Sequence, residues 1–331
     1  MLLLQLPPEL PLYILDYFGP EFFLQDICRL TISKKWYDLG WKILVGDLQL
    51  TATSLGMFTR DEAVLRRSQP HIATLELFLE GYEDRRPLLP TDRRGIRPDD
   101  TDAVDGWTVN LNSSLAKLAA MLQRCPGMRC LKLKARPERP GLGLRRQGYL
   151  MVKPLGDLLS LRHLTNFAFR HWGLYPQSQA CDPGIHLCRS INALLRSLRR
   201  LHCRMDSICE SLLELPPHDT PLNLEEVIIN LSLSELSDAI TSYRYPNRCQ
   251  PIPSETFLQL KEAIENQATT LLRQMSNPRM VRVISHEVPS LGISAFDAMT
   301  GQRVRLGDGI EWDADGEVVD ESDWEDETDL F

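Results

Sequence analysis

The chain has 331 residues, with 37 basic and 45 acidic side chains, a hydrophobic fraction of 43% and a charged fraction of 25%. That length exceeds one ordinary hydrophobic core and allows two or three domains, while the composition excludes a wholly disordered chain. The net charge of -8 is unevenly distributed: residues 308 to 331 hold 12 acidic and no basic residues, leaving 37 basic against 33 acidic before them.

Leucine is over-represented, with 55 copies. An excess of this kind accompanies helical packing or leucine-rich repeats. No run approaches the roughly 18 consecutive apolar residues of a membrane span, so a soluble protein is expected. The apolar opening Met1-Leu2-Leu3-Leu4 lacks a basic leader and stops at Pro7-Pro8, which does not fit a secretion signal. The eight cysteines are scattered, and the nearest pairs (Cys125 and Cys130, Cys181 and Cys188, Cys203 and Cys209) miss the close spacing of zinc motifs. Reduced thiols in an intracellular protein and no metal or cofactor are expected. The sequons at Asn112 and Asn230 are expected to be silent for the same reason.

In chain order, residues 6 to 18 place Leu10, Ile14 and Phe18 along one side of a short helix that Gly19-Pro20 ends. Ile27, Leu30, Trp36 and Leu39 predict two more short helices divided near Ser33. Three helices in about forty residues bury little on their own and call for a partner surface; the same residues could also form the core of an ordinary helical subdomain.

The series Leu6-Pro7-Pro8-Glu9-Leu10, Ile14-Leu15, Phe18, then Asp26-Ile27, Leu30 and Ser33-Lys34-Lys35-Trp36-Tyr37, resembles an F-box of fungal type, over about 15% of the chain. The loop Gly19 to Gln25 is longer than the family usually shows. The resemblance implies binding to the small Skp adaptor of Skp-Cullin-F-box ubiquitin ligases, and through it to a cullin. Carried over residue by residue, Leu6, Pro7, Ile14, Leu15, Ile27 and Leu30 are the adaptor-binding residues, with Trp36 packed inside the motif.

Beyond residue 50, apolar strand-like runs follow amphipathic helical stretches. Strands are predicted at Ile72–Leu79, Cys130–Lys134, Asn166–Arg170, Arg200–Arg204, Glu226–Leu231 and Met280–Ser285, and helices at Ser113–Arg124, Ser190–Leu198 and Thr256–Met275. Strand centres lie roughly 56, 36, 34, 26 and 55 residues apart, straddling one or two leucine-rich-repeat lengths without a regular period. The expected fold class is therefore α/β: an F-box over 1–50, an irregular leucine-rich-repeat-like arch of parallel strands and helices over 51–307, and a disordered acidic tail over 308–331. A compact α/β domain is the alternative for the body. Residues 293 to 306 predict a hairpin turning at Thr300-Gly301 that caps the last strand.

The predicted loops 83–110, 136–152, 171–187 and 232–254 follow strands and would share one rim. They carry Arg136, Arg139, Arg145 and Arg146 with Trp172, Tyr175 and Tyr243, a set suited to an acidic or phosphorylated protein segment, although a solvated loop surface is the plainer and favoured account. The acidic tail, through Trp312 and Trp324, could fold back there and compete with substrate. Gly141-Leu-Gly143 lacks a phosphate-loop pattern, and no Gly-x-Ser-x-Gly or His-Glu-x-x-His occurs. A nucleic-acid motif is absent too. With no such motif found, the F-box resemblance implies a non-enzymatic substrate receptor of a ubiquitin ligase, expected to be cytoplasmic or nuclear, with neither membrane nor nucleic acid as partner; a repeat scaffold outside any ligase is the alternative.

Overall fold

The computed structural model describes residue 7 and the spans 9–82, 98–135, 149–161, 163–170, 186–215, 221–233, 245–249, 256–286, 292–307, 311–314 and 317–318. The chain opens with α1 (Glu9–Phe18), α2 (Glu21–Gln25), a 3-10 helix (Ile27–Ile32) and α3 (Lys34–Gly46). Gly19, at φ 71°, ends α1 in a conformation that side chains disfavour. Asp26 caps the 3-10 helix by accepting from the Cys28 amide, and Ser33 caps α3 by accepting from the Trp36 amide at 3.1 Å. Leu15, Phe23, Leu30, Trp36 and Leu39 form a core of their own, separate from that of the body. Phe23 fills the segment that lengthens the first connection, and Gly40 lets it approach: a Cβ there would stand 2.7 Å from the Phe23 ring and 2.6 Å from Leu30.

The body is mixed α/β, built on a ten-stranded sheet. Its parallel part is β1 (Asp47–Thr51), β2 (Thr74–Leu79), β3 (Cys130–Ala135), β4 (Asn166–Arg170), β5 (Arg200–Arg204), β7 (Glu226–Asn230) and β9 (Met280–His286), lying side by side in chain order. An antiparallel part follows: β10 (Ile293–Asp297), β11 (Gln302–Leu306) and β12 (Glu317–Val318). A separate two-stranded parallel pair joins β6 (Ser207–Ile208) to β8 (Asn247–Arg248).

Each parallel strand begins level with the one before it, so Thr74, Cys130, Asn166, Arg200, Glu226 and Met280 form one row. The same device sets the starts of β3, β4, β5, β7 and β9. The carbonyls of Ala73, Arg129, Thr165, Arg199 and Glu225 each accept from two consecutive amides entering the next strand. Because side chains alternate across a strand, level starts send whole rows to one face. Leu75, Leu131, Phe167, Leu201, Val227 and Val281 make one buried row, and Leu77, Leu133, Phe169, Cys203, Ile229 and Val283 another.

Those rows face a layer of helices: α4 (Ala52–Phe58), α6 (Pro98–Leu122), α7 (Val152–Leu159), α8 (Leu187–Leu194), a 3-10 turn (Glu210–Leu212) and α9 (Phe257–Leu272), with α5 (Glu62–Ser68) beside α4 in sequence. One continuous core joins layer and sheet, from Leu50 through Leu115, Leu155 and Ile191 to Leu271. Asn112 ties α6 to the start of α7, its amide donating to the Thr108 and Tyr149 carbonyls at 2.8 and 2.7 Å and accepting from the Met151 amide. A side chain so used is no surface glycan acceptor.

Five predicted strands match to within a residue at either end; β2 starts two residues later than predicted, and the hairpin turns at Thr300-Gly301 with Gly301 at φ 73°. Three expectations need correction. Residues 98–110, read as loop, are the first half of α6. Asp47–Thr51, assigned to the N-terminal motif or its boundary, is the first strand of the sheet. The acidic tail is not wholly unfolded: Glu317–Val318 pairs with β11 as an antiparallel edge strand.

The face assignment is testable by urea unfolding. Leu131→Ala removes a fully buried side chain and should cost about 2–5 kcal/mol. Lys132→Ala, one residue on and facing the other way, should stay within about 0.5 kcal/mol. Equal effects would contradict the register.

Candidate functional site

Among the described residues, three places carry side chains that the core does not consume. The first is the outside of the N-terminal helices. Among the described residues ten large hydrophobic side chains are exposed, and six of them, Leu10, Tyr13, Tyr17, Phe18, Ile27 and Ile32, fall within this short segment. Leu10, Tyr13 and Tyr17 share one side of α1 by helical spacing, while Pro11 and Leu15 face inward. Tyr17 is 85% exposed, an apolar load that solvent does not favour.

The sequence-predicted adaptor residues divide accordingly. Ile27 and Pro7 are exposed and Ile14 is half-buried. Leu15 and Leu30 lie inside the unit's own core, at 1% and 3% exposure, and so hold the helices together from within. Leu6 lies outside the described residues. The apolar spacing Leu10, Ile14 and Phe18 read in the sequence marks a largely exposed side of α1, with Leu10 50% and Phe18 52% exposed, and the outward Tyr13 and Tyr17 escaped that reading.

The second place is the sheet face turned away from the helix layer. A cleft of ≈ 840 Å³ lies between α3, which contributes Trp41, Leu44 and Val45, and a polar floor that includes Glu76, Lys132 and His202. The floor is knitted across strands: Lys134 pairs with Glu76 at 3.0 Å, His202 hydrogen-bonds Glu226, and Arg200 stands 3.4 Å from the same carboxylate. The His202 hydrogen bond, helped by the His202, Arg200 and Arg279 charges, holds Glu226 below its ordinary range against the opposing effect of burial.

Towards β7 and β9 this face turns apolar. Ile228, Ile284, Ala295, Val304 and Leu306 form a small cluster, and Trp312 from the acidic segment packs on it. The Arg170 guanidinium sits 4.1 Å from the Trp312 ring centre and 3.6 Å from Glu311, while Arg282 donates to the Ala314 carbonyl at 2.7 Å. Residues 311–314 thus lie on the open face itself. The predicted rim residues Arg136, Arg139, Arg145, Arg146, Trp172, Tyr175 and Tyr243 lie outside the described residues, as does Trp324. Tyr245 stacks on Phe257, with centroids 3.9 Å apart.

The third place is a group of soft ligand atoms. His186 and Cys188 from the start of α8, Cys209 and Cys249 come together from three separate points of the chain. Comparison with protein-family models and with curated proteins finds no match.

Glu226 supplies a pH test. A carboxylate depressed in the folded state adds stability that is complete above the unfolded value, about pH 4.3, and is lost as pH falls through the folded one. Acidification below about pH 4.3 should lower the unfolding midpoint of the native chain more steeply than that of Glu226→Gln, the two converging in strong acid. Parallel acid limbs throughout would refute the His202–Glu226 coupling.

Proposed function

We propose that this chain is the substrate-recognition subunit of a Skp-Cullin-F-box ubiquitin ligase. Its N-terminal helices are an F-box that docks on the Skp adaptor, and its body is an irregular leucine-rich-repeat-like arch that holds a protein target. The observation that carries this reading is the exposed apolar side of α1 and of the 3-10 helix, on a unit whose interior is already filled by Leu15, Phe23 and Leu30. A unit with a complete core and an uncovered greasy outside is suited to a protein partner. The repeat reading rests on level strand starts and on the carbonyl that recurs from Ala73 to Glu225. Between those carbonyls the chain inserts helices and loops of unequal length, which is how a degenerate repeat differs from a regular one.

In this account the chain does no acid-base chemistry. It holds a target lysine near the charged carrier enzyme, and the rate gain is effective concentration. The cleft and the open face are the receptor surface. The acidic segment around Trp312 acts there as an internal competitor, occupying with Glu311 and an indole the arginine-bearing surface that an acidic or phosphorylated target segment would use.

Two measurements test these assignments. The double change Leu10→Ala and Tyr17→Ala removes only exposed surface, so the melting temperature should hold while adaptor affinity falls roughly thirtyfold, as for the loss of one hot spot. Unchanged affinity would favour the alternative, a repeat scaffold working outside any ligase. Separately, Trp312→Ala should raise the affinity for an acidic peptide at low salt, an effect that high salt diminishes. Equal affinities for native and variant chains would remove the competitor role.

A further inference from the structure

The sequence places four soft ligands at 186, 188, 209 and 249, with no two at zinc-finger spacing. Folding supplies the convergence. His186 immediately precedes α8 and Cys188 lies in its first turn. Cys209 caps the 3-10 turn that follows β6, and Cys249 follows β8. The β6–β8 pairing, extended by the Cys249 amide donating to the Ile208 carbonyl at 3.3 Å, carries Cys249 to Cys209.

All four ligand atoms lie within 4.8 Å of one another. The Cys188 and Cys249 sulfurs are 3.5 Å apart, and the Cys209 sulfur is 3.7 Å from Nδ1 of His186. Zinc bonds of about 2.3 Å to sulfur and about 2.0–2.1 Å to nitrogen give tetrahedral edges of roughly 3.5–3.8 Å. These two edges therefore already stand at ligand spacing, and closing the longest ones takes about 1 Å of side-chain movement.

We infer that His186, Cys188, Cys209 and Cys249 form a structural zinc site of Cys3His type that clamps α8, the β6 turn and the β8 segment together. Four protein donors leave no open coordination position, which marks a structural and not a catalytic ion. The ion also explains an otherwise weak element: β6 and β8 have two residues each, too few for a strand pair to hold by itself.

The test uses the full chain, purified from a reducing cytosol without chelator. Elemental analysis should find one zinc per chain, and Co²⁺ exchanged into the site should show the intense visible bands of a tetrahedral ion and a thiolate-to-cobalt charge-transfer band. Cys209→Ser and Cys249→Ser should lose the metal and melt at lower temperature, whereas Cys28→Ser, exposed and remote in sequence, should keep it. Where the serine variants do not fold, His186→Gln keeps all three sulfurs and should release zinc to a chelator that the native chain resists. A folded, reduced chain that takes up neither zinc nor cobalt would overturn the proposal. So would a Cys188–Cys249 disulfide in the isolated protein, or full zinc occupancy in Cys209→Ser.

Discussion

Level stacking of the parallel strands is the constraint on which the rest of the molecule depends. A parallel strand displaced by a single residue would exchange its faces, sending Leu131 and Leu133 to water and Lys132 to the core. From β2 to β9 the protein prevents this at each junction, through a carbonyl just before one strand that accepts two amides of the next. The device uses backbone alone, so it tolerates Ala73, Arg129, Thr165, Arg199 and Glu225 in the same role. Side-chain identity at strand starts is free to vary, and the connecting segments are free to differ in length.

From this constraint follows the division of labour between the two sheet faces. Two unbroken apolar rows take up the helix layer, leaving three rows per strand for the other side. There the composition drifts along the sheet, from Glu76, Lys132 and His202 in the cleft to Ile228 and Ile284 near the hairpin. The hairpin strands extend the apolar end beside β9, Trp312 packs on it, and the polar end lies beside α3. A surface with a charged floor, an apolar wall and an acidic segment laid along its far side is consistent with a receptor whose own tail resembles its ligand, as proposed above.

Much of the fold was legible because strands and helices announce themselves by different periods. Asn-Phe-Ala-Phe-Arg and Arg-Leu-His-Cys-Arg alternate cleanly, and β4 and β5 begin and end where that alternation does. Legibility failed where local signals oppose the outcome. α7 carries Pro154 and Gly156, residues that normally mark a break, yet the proline lies in the first turn, where no amide donor is required. β1 has two leucines in five residues and was masked by the helical motif before it. The ligand quartet was illegible in principle, since His186 and Cys188 are brought to Cys209 and Cys249 only by the register of the sheet and the short β6–β8 pair. In the N-terminal unit Leu30, Trp36 and Leu39 were legible as inward residues, whereas the α1 series Leu10, Ile14 and Phe18 turns out largely exposed, the core side of that helix being Pro11 and Leu15.

The central claim is that the outer side of the N-terminal helices is the surface another protein covers. Hydrogen exchange of the full chain, with and without a saturating Skp adaptor, tests it most directly. The account predicts protection confined to Glu9–Phe18 and Ile27–Gly46, with the strands Thr74–Leu79 through Met280–His286 unchanged. Failure of the adaptor to bind, or protection falling on the open face of the sheet and not on α1, would contradict it.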